Sequence, residues 1–334
     1  MLIGNFFRNY FEIPQEKKKV VCLGGGVGTS QVLSGLRKYD HELTSIVSMA
    51  DDGGSAGRLR RAFQIPPPGD LINCLAALSE EESTLKKLFL YRFAGKRQGK
   101  DTELGGQKLG NLIFLALTDI YKGDIYKALE ELSKIISPSG RVLPATIGDV
   151  NIWATTKNGK KIIGEKNIDL GRYNGARTLD EVNLDPPDIK AYKPSIDAID
   201  ECDIAIIGPG DLFSTVLPVI IVPQIKTALI SSKAKKVFII NIANKPFETA
   251  GFKVSDYIEK VEKHLGKNFF DTILVNSNQK PKIPSNLNYS YVYYDQDKLT
   301  DYRNTIVTGD FVDTKYPLYH NSNKVAQKLE GFLK

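Results

Sequence analysis

Residues 20–23, Val20-Val21-Cys22-Leu23, run directly into Gly24-Gly25-Gly26-Val27-Gly28-Thr29-Ser30. Val32, Leu33 and Leu36 then recur at helical spacing. Consecutive apolar residues without polar alternation read as a strand covered on both faces. A glycine turn between such a strand and a helix sends the helix back over the sheet. A second strand is expected over 43–49, and strand–helix–strand in this order closes as a right-handed parallel unit. The pattern predicts an α/β fold, with a Rossmann-like, doubly wound, mostly parallel sheet.

The same grammar returns later. Residues 204–207 form an apolar run into Gly208-Pro209-Gly210-Asp211, residues 237–240 end at Asn241, and residues 273–275 end at Asn276. Residues 254–265 read as an amphipathic helix between the last two. Pro66-Pro67-Pro68-Gly69 breaks the chain, and a helical insertion is expected over about 70–137, with Asp70 as the N-cap before Leu71, Leu75 and Leu78. Apolar runs at 150–154 and 161–163 flank Asn158-Gly159, which predicts a small hairpin excursion. Residues 171–194, rich in Asn, Asp, Gly and Pro, read as a loop. Residues 321–334 read as a closing helix with Val325, Leu329 and Phe332 inward. No composition shift marks a boundary, so residues 18–334 are expected to form one domain behind an N-terminal extension, residues 1–17.

Composition narrows the function classes. There are 45 Lys plus Arg against 39 Asp plus Glu, a formal net charge of +6, and the basic residues are interleaved with acids. That spread does not argue for nucleic acid as a partner. Three cysteines, Cys22, Cys74 and Cys202, are far apart with no CxxC pair, and His41, His264 and His320 are equally dispersed. This disfavours a thiol or histidine metal site and fits a reducing compartment. No apolar run reaches about 18 residues, so no integral membrane segment is expected. Leu2, Ile3, Phe6, Phe7, Tyr10 and Phe11 read as a short helix docked on the domain, in preference to a surface anchor helped by Lys17-Lys18-Lys19.

The chemistry is expected where strands end, because ligands of open parallel sheets bind off the carboxyl edge. Gly24, Gly25, Gly26, Gly28, Thr29 and Ser30 form the leading phosphate candidate, since glycines admit a close anion and the helix start supplies N–H donors. The loop is not a strict GxGxxG, with Thr29 in the third glycine's place, and it has no Walker lysine. Alone it is equally compatible with an unliganded corner. Asp51 and Asp52, followed by Gly53, Gly54, Ser55 and Arg58, are adjacent carboxylates that suit Mg²⁺, a hydroxyl proton or a ribose. Arg58, Arg60 and Arg61 are placed to counter phosphate charge. Gly208, Gly210, Asp211, Ser214 and Thr215 form a second nest, and two nests suit a diphosphate. Asp211 itself suits a metal or a sugar hydroxyl. Lys108 and Asn111 stand at another helix start, and Asn241, Asn244 and Thr249 follow a core strand where amides suit a base or sugar.

These stretches together resemble the CofD/YvcK family over nearly the whole chain. They are GGGVGTSQVLSGLR, VSMADDGGSAGRLR, PPGDLINCLAAL, GQKLGNL, VLPAT, GPGDLFSTVLP and HNSNKVAQKL. Their order and spacing are closer to the YvcK branch. The resemblance implies a Rossmann-like nucleotide site. In the YvcK branch it implies a cytoplasmic gluconeogenesis factor that binds a UDP-sugar such as UDP-N-acetylglucosamine and regulates cell shape and envelope synthesis on gluconeogenic carbon. In the CofD branch it implies Mg²⁺-dependent transfer of a phospholactyl group from a guanylyl-linked donor to a deazaflavin, with Asp51 or Asp52 as the catalytic aspartate. The chain departs from the pattern at three places. Gln107 stands where a histidine is usual, the second nest carries Asp211, Phe213, Ser214 and Thr215, and Lys245-Pro246-Phe247-Glu248-Thr249 replaces the usual QPGET. The nucleotide base (uridine, guanosine or an NAD-type dinucleotide), turnover and a homo-oligomeric state stay open at this level.

Overall fold

The computed structural model describes residues 17–80, 83–95, 104–174 and 178–333. The apolar N-terminal segment at residues 2–11 lies outside them. Seven strands build the central sheet: β1 (Lys19–Gly24), β2 (Glu42–Val47), β3 (Gly140–Pro144), then, after an excursion, β7 (Ile204–Ile207), β8 (Lys235–Ile239), β10 (Thr272–Asn276) and β12 (Ile306–Gly309). Their order is β12-β10-β8-β7-β1-β2-β3, and every neighbouring pair is parallel. Val20, Val21, Cys22 and Leu23 are all buried, as are the four residues of β7, so the centre of the sheet is covered on both faces.

The helices follow from the strand order. α1 (Gly26–Leu36) packs between α3 (Gly69–Leu78) and the closing helix α12 (Ser322–Leu333), while α8 (Lys193–Glu201), α10 (Pro223–Ser231) and α11 (Val254–Leu265) form a second row. Strands are added to the sheet in opposite senses from β1 and from β7, and crossovers of one hand then place helices on both faces. The expected doubly wound α/β fold is what the chain adopts. α3, α4 (Thr84–Leu90), α5 (Leu109–Ile120) and α6 (Ile125–Ile136) form the helical insertion, preceded by α2 (Gly54–Phe63). Among the described residues no single helix is long and apolar enough to cross a membrane.

The hairpin excursion is larger than expected. β4 (Asn151–Thr156) pairs antiparallel with β5 (Lys161–Ile163) and also with β6 (Leu179–Asp185), and the short α7 (Glu165–Asp169) follows β5. Residues 171–194 are therefore not a continuous loop. β6 is polar on its open side, and a register shift at Thr155/Thr156 breaks its alternation, so only Leu179, Val182 and Leu184 turn inward. At the closing helix Leu333 is buried while Phe332 is only half-buried beneath Lys235. β9 (Ala243–Asn244) and β11 (Ser290–Tyr291) add a two-stranded clip.

Candidate functional site

β1 and β7 are neighbours whose following loops lead away in opposite directions, the topological switch point at which open α/β sheets form a crevice. Residues 24–28 and 208–210 meet there. A Cβ on Gly28 would lie 2.5 Å from the Pro209 carbonyl oxygen, so only glycine permits this approach. Thr29 is fully buried; its Oγ1 accepts the Gly25 N–H at 2.9 Å and donates to the Pro209 carbonyl at 3.2 Å. Ser30 Oγ donates to the Gly26 carbonyl at 2.7 Å. Asn241 brackets the Gly210 peptide, accepting from its N–H at 3.2 Å and donating to its carbonyl at 2.8 Å. Gly28, Thr29, Ser30 and Asn241 thus shape the loops. Gly26, at φ 63°, half-buried and with nothing within 4 Å of its Cβ position, is the open point of the turn.

A cleft of ≈ 340 Å³ opens on one side of Gly26, with Asp51, Asp70, Lys108, Asn111 and Glu165 on its walls. Gly53, Gly54 and Ser55 form part of its rim, and Gly69, Asp211, Ser214 and Thr215 line it too. Asp70 is not the N-cap of α3: Pro68 holds that position and no side chain caps it. Its carboxylate instead lies over the glycine turn, where it accepts the Gly26 N–H, and a Cβ on Gly25 would collide with its Oδ2. Burial, reinforced by the Asp51 charge, pushes the Asp70 carboxyl up to about 7. Burial together with Asp51, Asp169 and Asp52 also raises Glu165 well above the carboxylate range. Facing these acids, Arg92 donates to Ser55 Oγ at 3.0 Å and to the Gly106 carbonyl at 2.6 Å, and Lys108 donates to Asn73 Oδ1 at 2.6 Å. Asn111 is 1% exposed, and neither its Oδ1 nor its Nδ2 has a hydrogen-bond partner among the described residues. A buried amide with both ends unmet is a defect unless something enters the cleft to meet it.

The acidic loop does not act as a pair. Asp51 accepts the Gly53 N–H at 2.8 Å and faces the cleft. Asp52 turns away: its carboxylate accepts the Lys166 N–H at 2.7 Å at the start of α7, and it lines a separate cavity with Arg60 and Asn151. Two diverging carboxylates do not fit one Mg²⁺ ion, which needs ligands converging at about 2.0–2.1 Å. The arginines are engaged elsewhere. Arg58 donates to the Gly105 carbonyl at 2.6 Å and Arg61 to the Asp52 carbonyl at 2.5 Å. Arg60, buried, donates to Asp149 at 2.5 Å, the Val150 carbonyl at 2.6 Å and Asn151 at 3.1 Å. Arg60 thus ties the loop to the excursion, Arg58 ties it to the helical insertion and Arg61 closes back on the loop itself, which corrects the expectation that they face a phosphate.

The second turn also holds a carboxylate of its own. Beyond Gly208 and Gly210 the chain enters a π-helical turn, Leu212–Val216, which runs on into α9 (Leu217–Ile220). Its first amides are taken: Glu248, fully buried, accepts from Phe213 N at 3.1 Å, Ser214 N at 3.3 Å and Ser214 Oγ at 2.7 Å. Ser214 is therefore committed to an internal anion. Lys245 donates to Asp211 at 2.6 Å, to Glu248 at 3.1 Å and to Asp169. Burial opposes its charge, but the three carboxylates outweigh that and hold the ammonium well above its usual pKa.

On the far side of Gly26 lies a smaller pocket of ≈ 150 Å³, bordered by Asn241, Tyr289, Tyr319 and His320. His320 is buried with Nε2 3.1 Å from the Ile240 carbonyl, and burial lowers its pKa to about 4, so the neutral ring donates there. Sequence reasoning did not single out Asp70, Arg92, Glu165, Asp169 or Lys245 as site residues. Only Asp70 and Lys245 lay in quoted motifs, and neither motif revealed where its side chain turns.

Residues 20–312 match the family model described as 2-phospho-L-lactate transferase CofD. The chain belongs to the CofD family. Within it, the chain is 38% identical over 327 residues to the gluconeogenesis factor of Bacillus subtilis, covering 96% of this chain and 99% of that protein. It is 36% identical over 325 residues to the gluconeogenesis factor of Halalkalibacterium halodurans, covering 95% and 97%. The crystal structure of a UPF0052-family protein from Bacillus halodurans superposes with a TM-score of 0.84 at 35% identity, covering 94% of this chain and 99% of that one. This CofD-family chain is thus similar, over nearly its whole length, to proteins named gluconeogenesis factors.

Proposed function

We propose that this CofD-family protein binds a nucleoside-diphosphate sugar, of the UDP-N-acetylglucosamine class, and acts in the cytoplasm as a regulator of cell shape and envelope synthesis during gluconeogenic growth. The observation that carries the reading is Asn111, a buried amide with both ends unmet, in a polar cleft joined at Gly26 to a second pocket with tyrosine walls. A ligand with a flat base, a diphosphate and a polyhydroxyl sugar suits that sequence of surfaces. The base stacks against Tyr289 or Tyr319, the diphosphate crosses the Gly26 turn, and the sugar meets Asn111 and Asp51. Asp211 and Thr215, which line both cavities, border the crossing. The name of the relatives, gluconeogenesis factor, supports the link to gluconeogenic growth.

A second reading, group transfer from a nucleotide-diphosphate donor, is favoured by Asp70, whose carboxyl near 7 is suited to take a proton at neutral pH. Thermal melting with UDP-N-acetylglucosamine, UDP, GDP and NAD, each with and without Mg²⁺, separates the readings. A ligand at a hundred times its Kd stabilises by about 2.7 kcal/mol. We expect the UDP-sugar to give the largest rise and Asn111→Ala to abolish it. No rise with UDP-sugars at millimolar concentration defeats the proposal.

A further inference from the structure

We infer that Lys245 is a built-in cation, its ammonium filling a cage of three carboxylates that would otherwise take a divalent metal ion. This end of the cleft is built to work without such an ion, and one substitution converts the cage into a metal site.

The cage draws on three separate segments. Asp169 comes from the end of α7, Asp211 from the turn after β7, and Glu248 from the loop after β9. One carboxylate oxygen from each lies within 4.8 Å of the others. Lys245 supplies the centre. An ammonium has three N–H donors, and Lys245 directs one to each carboxylate, at 2.6 Å to Asp211, 3.1 Å to Glu248 and in close contact with Asp169. An ammonium at the centre answers all three carboxylates by hydrogen bonds, so the place a metal ion would take is already filled. The lysine side chain is 11% exposed and Glu248 is fully buried, while Asp169 and Asp211 keep 32% and 40% of their side-chain surface in contact with water and form the open side of the cage. With three carboxylates to one ammonium, the cage keeps an excess of negative charge.

The buried wall of the cage does not depend on the lysine for its place. Glu248 is held independently by Phe213 N–H, Ser214 N–H and the Ser214 hydroxyl. Removing the ammonium therefore leaves converging, uncompensated carboxylates, and a divalent cation is the simplest species to neutralise them. The inference concerns the cation alone and stands whether or not the cleft takes a nucleotide sugar.

The test is Mn²⁺ binding to the full chain, followed by electron paramagnetic resonance of the free ion. We expect no bound equivalent in the wild type, one in Lys245→Gln, and binding at least about tenfold weaker in Lys245→Gln/Asp211→Asn. A wild type that binds one Mn²⁺ and loses it on Asp211→Asn overturns the inference, as does a folded Lys245→Gln that binds none. Should Lys245→Gln not fold, melting of the wild type decides. A midpoint indifferent to chelator and to millimolar Mn²⁺ supports a resident ammonium, and a midpoint lowered by chelator refutes it.

Discussion

Asp70 places a carboxylate where the glycine turn offers its N–H groups, so the site carries its own anion. Its pKa near 7 in the native state, against about 3.9 in an unfolded chain, sets the sign of two effects. Between about pH 4 and 7 the native state holds a proton that the unfolded state has lost, so this residue's contribution to stability falls as pH rises through that window. Asp70→Asn removes the penalty. The variant should be more stable than the wild type by up to about 4 kcal/mol above pH 7, with the gap closing towards pH 4, as read by urea denaturation at several pH values. An ionised Asp70 also opposes an incoming diphosphate, so wild-type affinity for such a ligand should improve as pH falls through about 7 while that of Asp70→Asn stays flat. Titration calorimetry on either side of neutrality checks this.

At the scale of elements, the acidic loop is a joint between the sheet and the excursion. Asp52 caps α7 through the Lys166 N–H, and Arg60 ties α2 to the start of β4 through Asp149, the Val150 carbonyl and Asn151. Asp52→Ala should cost about 1 kcal/mol and Arg60→Ala about 2–3 kcal/mol, the larger value because buried acceptors are left unmet. Both are measurable by urea denaturation, and a ligand-induced melting shift should survive Asp52→Ala. The central strands and their loops were legible because uninterrupted apolar runs stopped at glycines, as at Gly24 and Gly208, or at asparagines, as at Asn241 and Asn276. β6 was not, because its inward residues are spaced irregularly and its outward ones, Asp180, Glu181 and Asn183, look like loop. β3 and β12 are edge strands with mixed burial and carry little pattern. In the site, the glycine turns were legible for the same local reason. The directions of Asp51 and Asp52 were not, because adjacent side chains on a loop diverge according to what packs around them, here α7 and the excursion. Glu165, Asp169 and Lys245 reach the cleft only through tertiary contacts.

Over the whole molecule, the crevice joins parts of the chain made at very different times. β1 pairs with β2 on one side and with β7 on the other, across some 180 residues. Non-local pairing of this kind is slow to form, and an unpaired central strand is a template for wrong partners. A chain ending before Ile204 should be insoluble or should self-associate, whereas the full chain should not; light scattering of the two proteins after refolding checks this. On the ribosome, the first half of the protein waits with its most apolar strand half-clothed until Ile204 to Ile207 emerge. No small molecule that needs both turns can act as a template for that half, so any help during this interval has to come from something that shields a bare sheet edge.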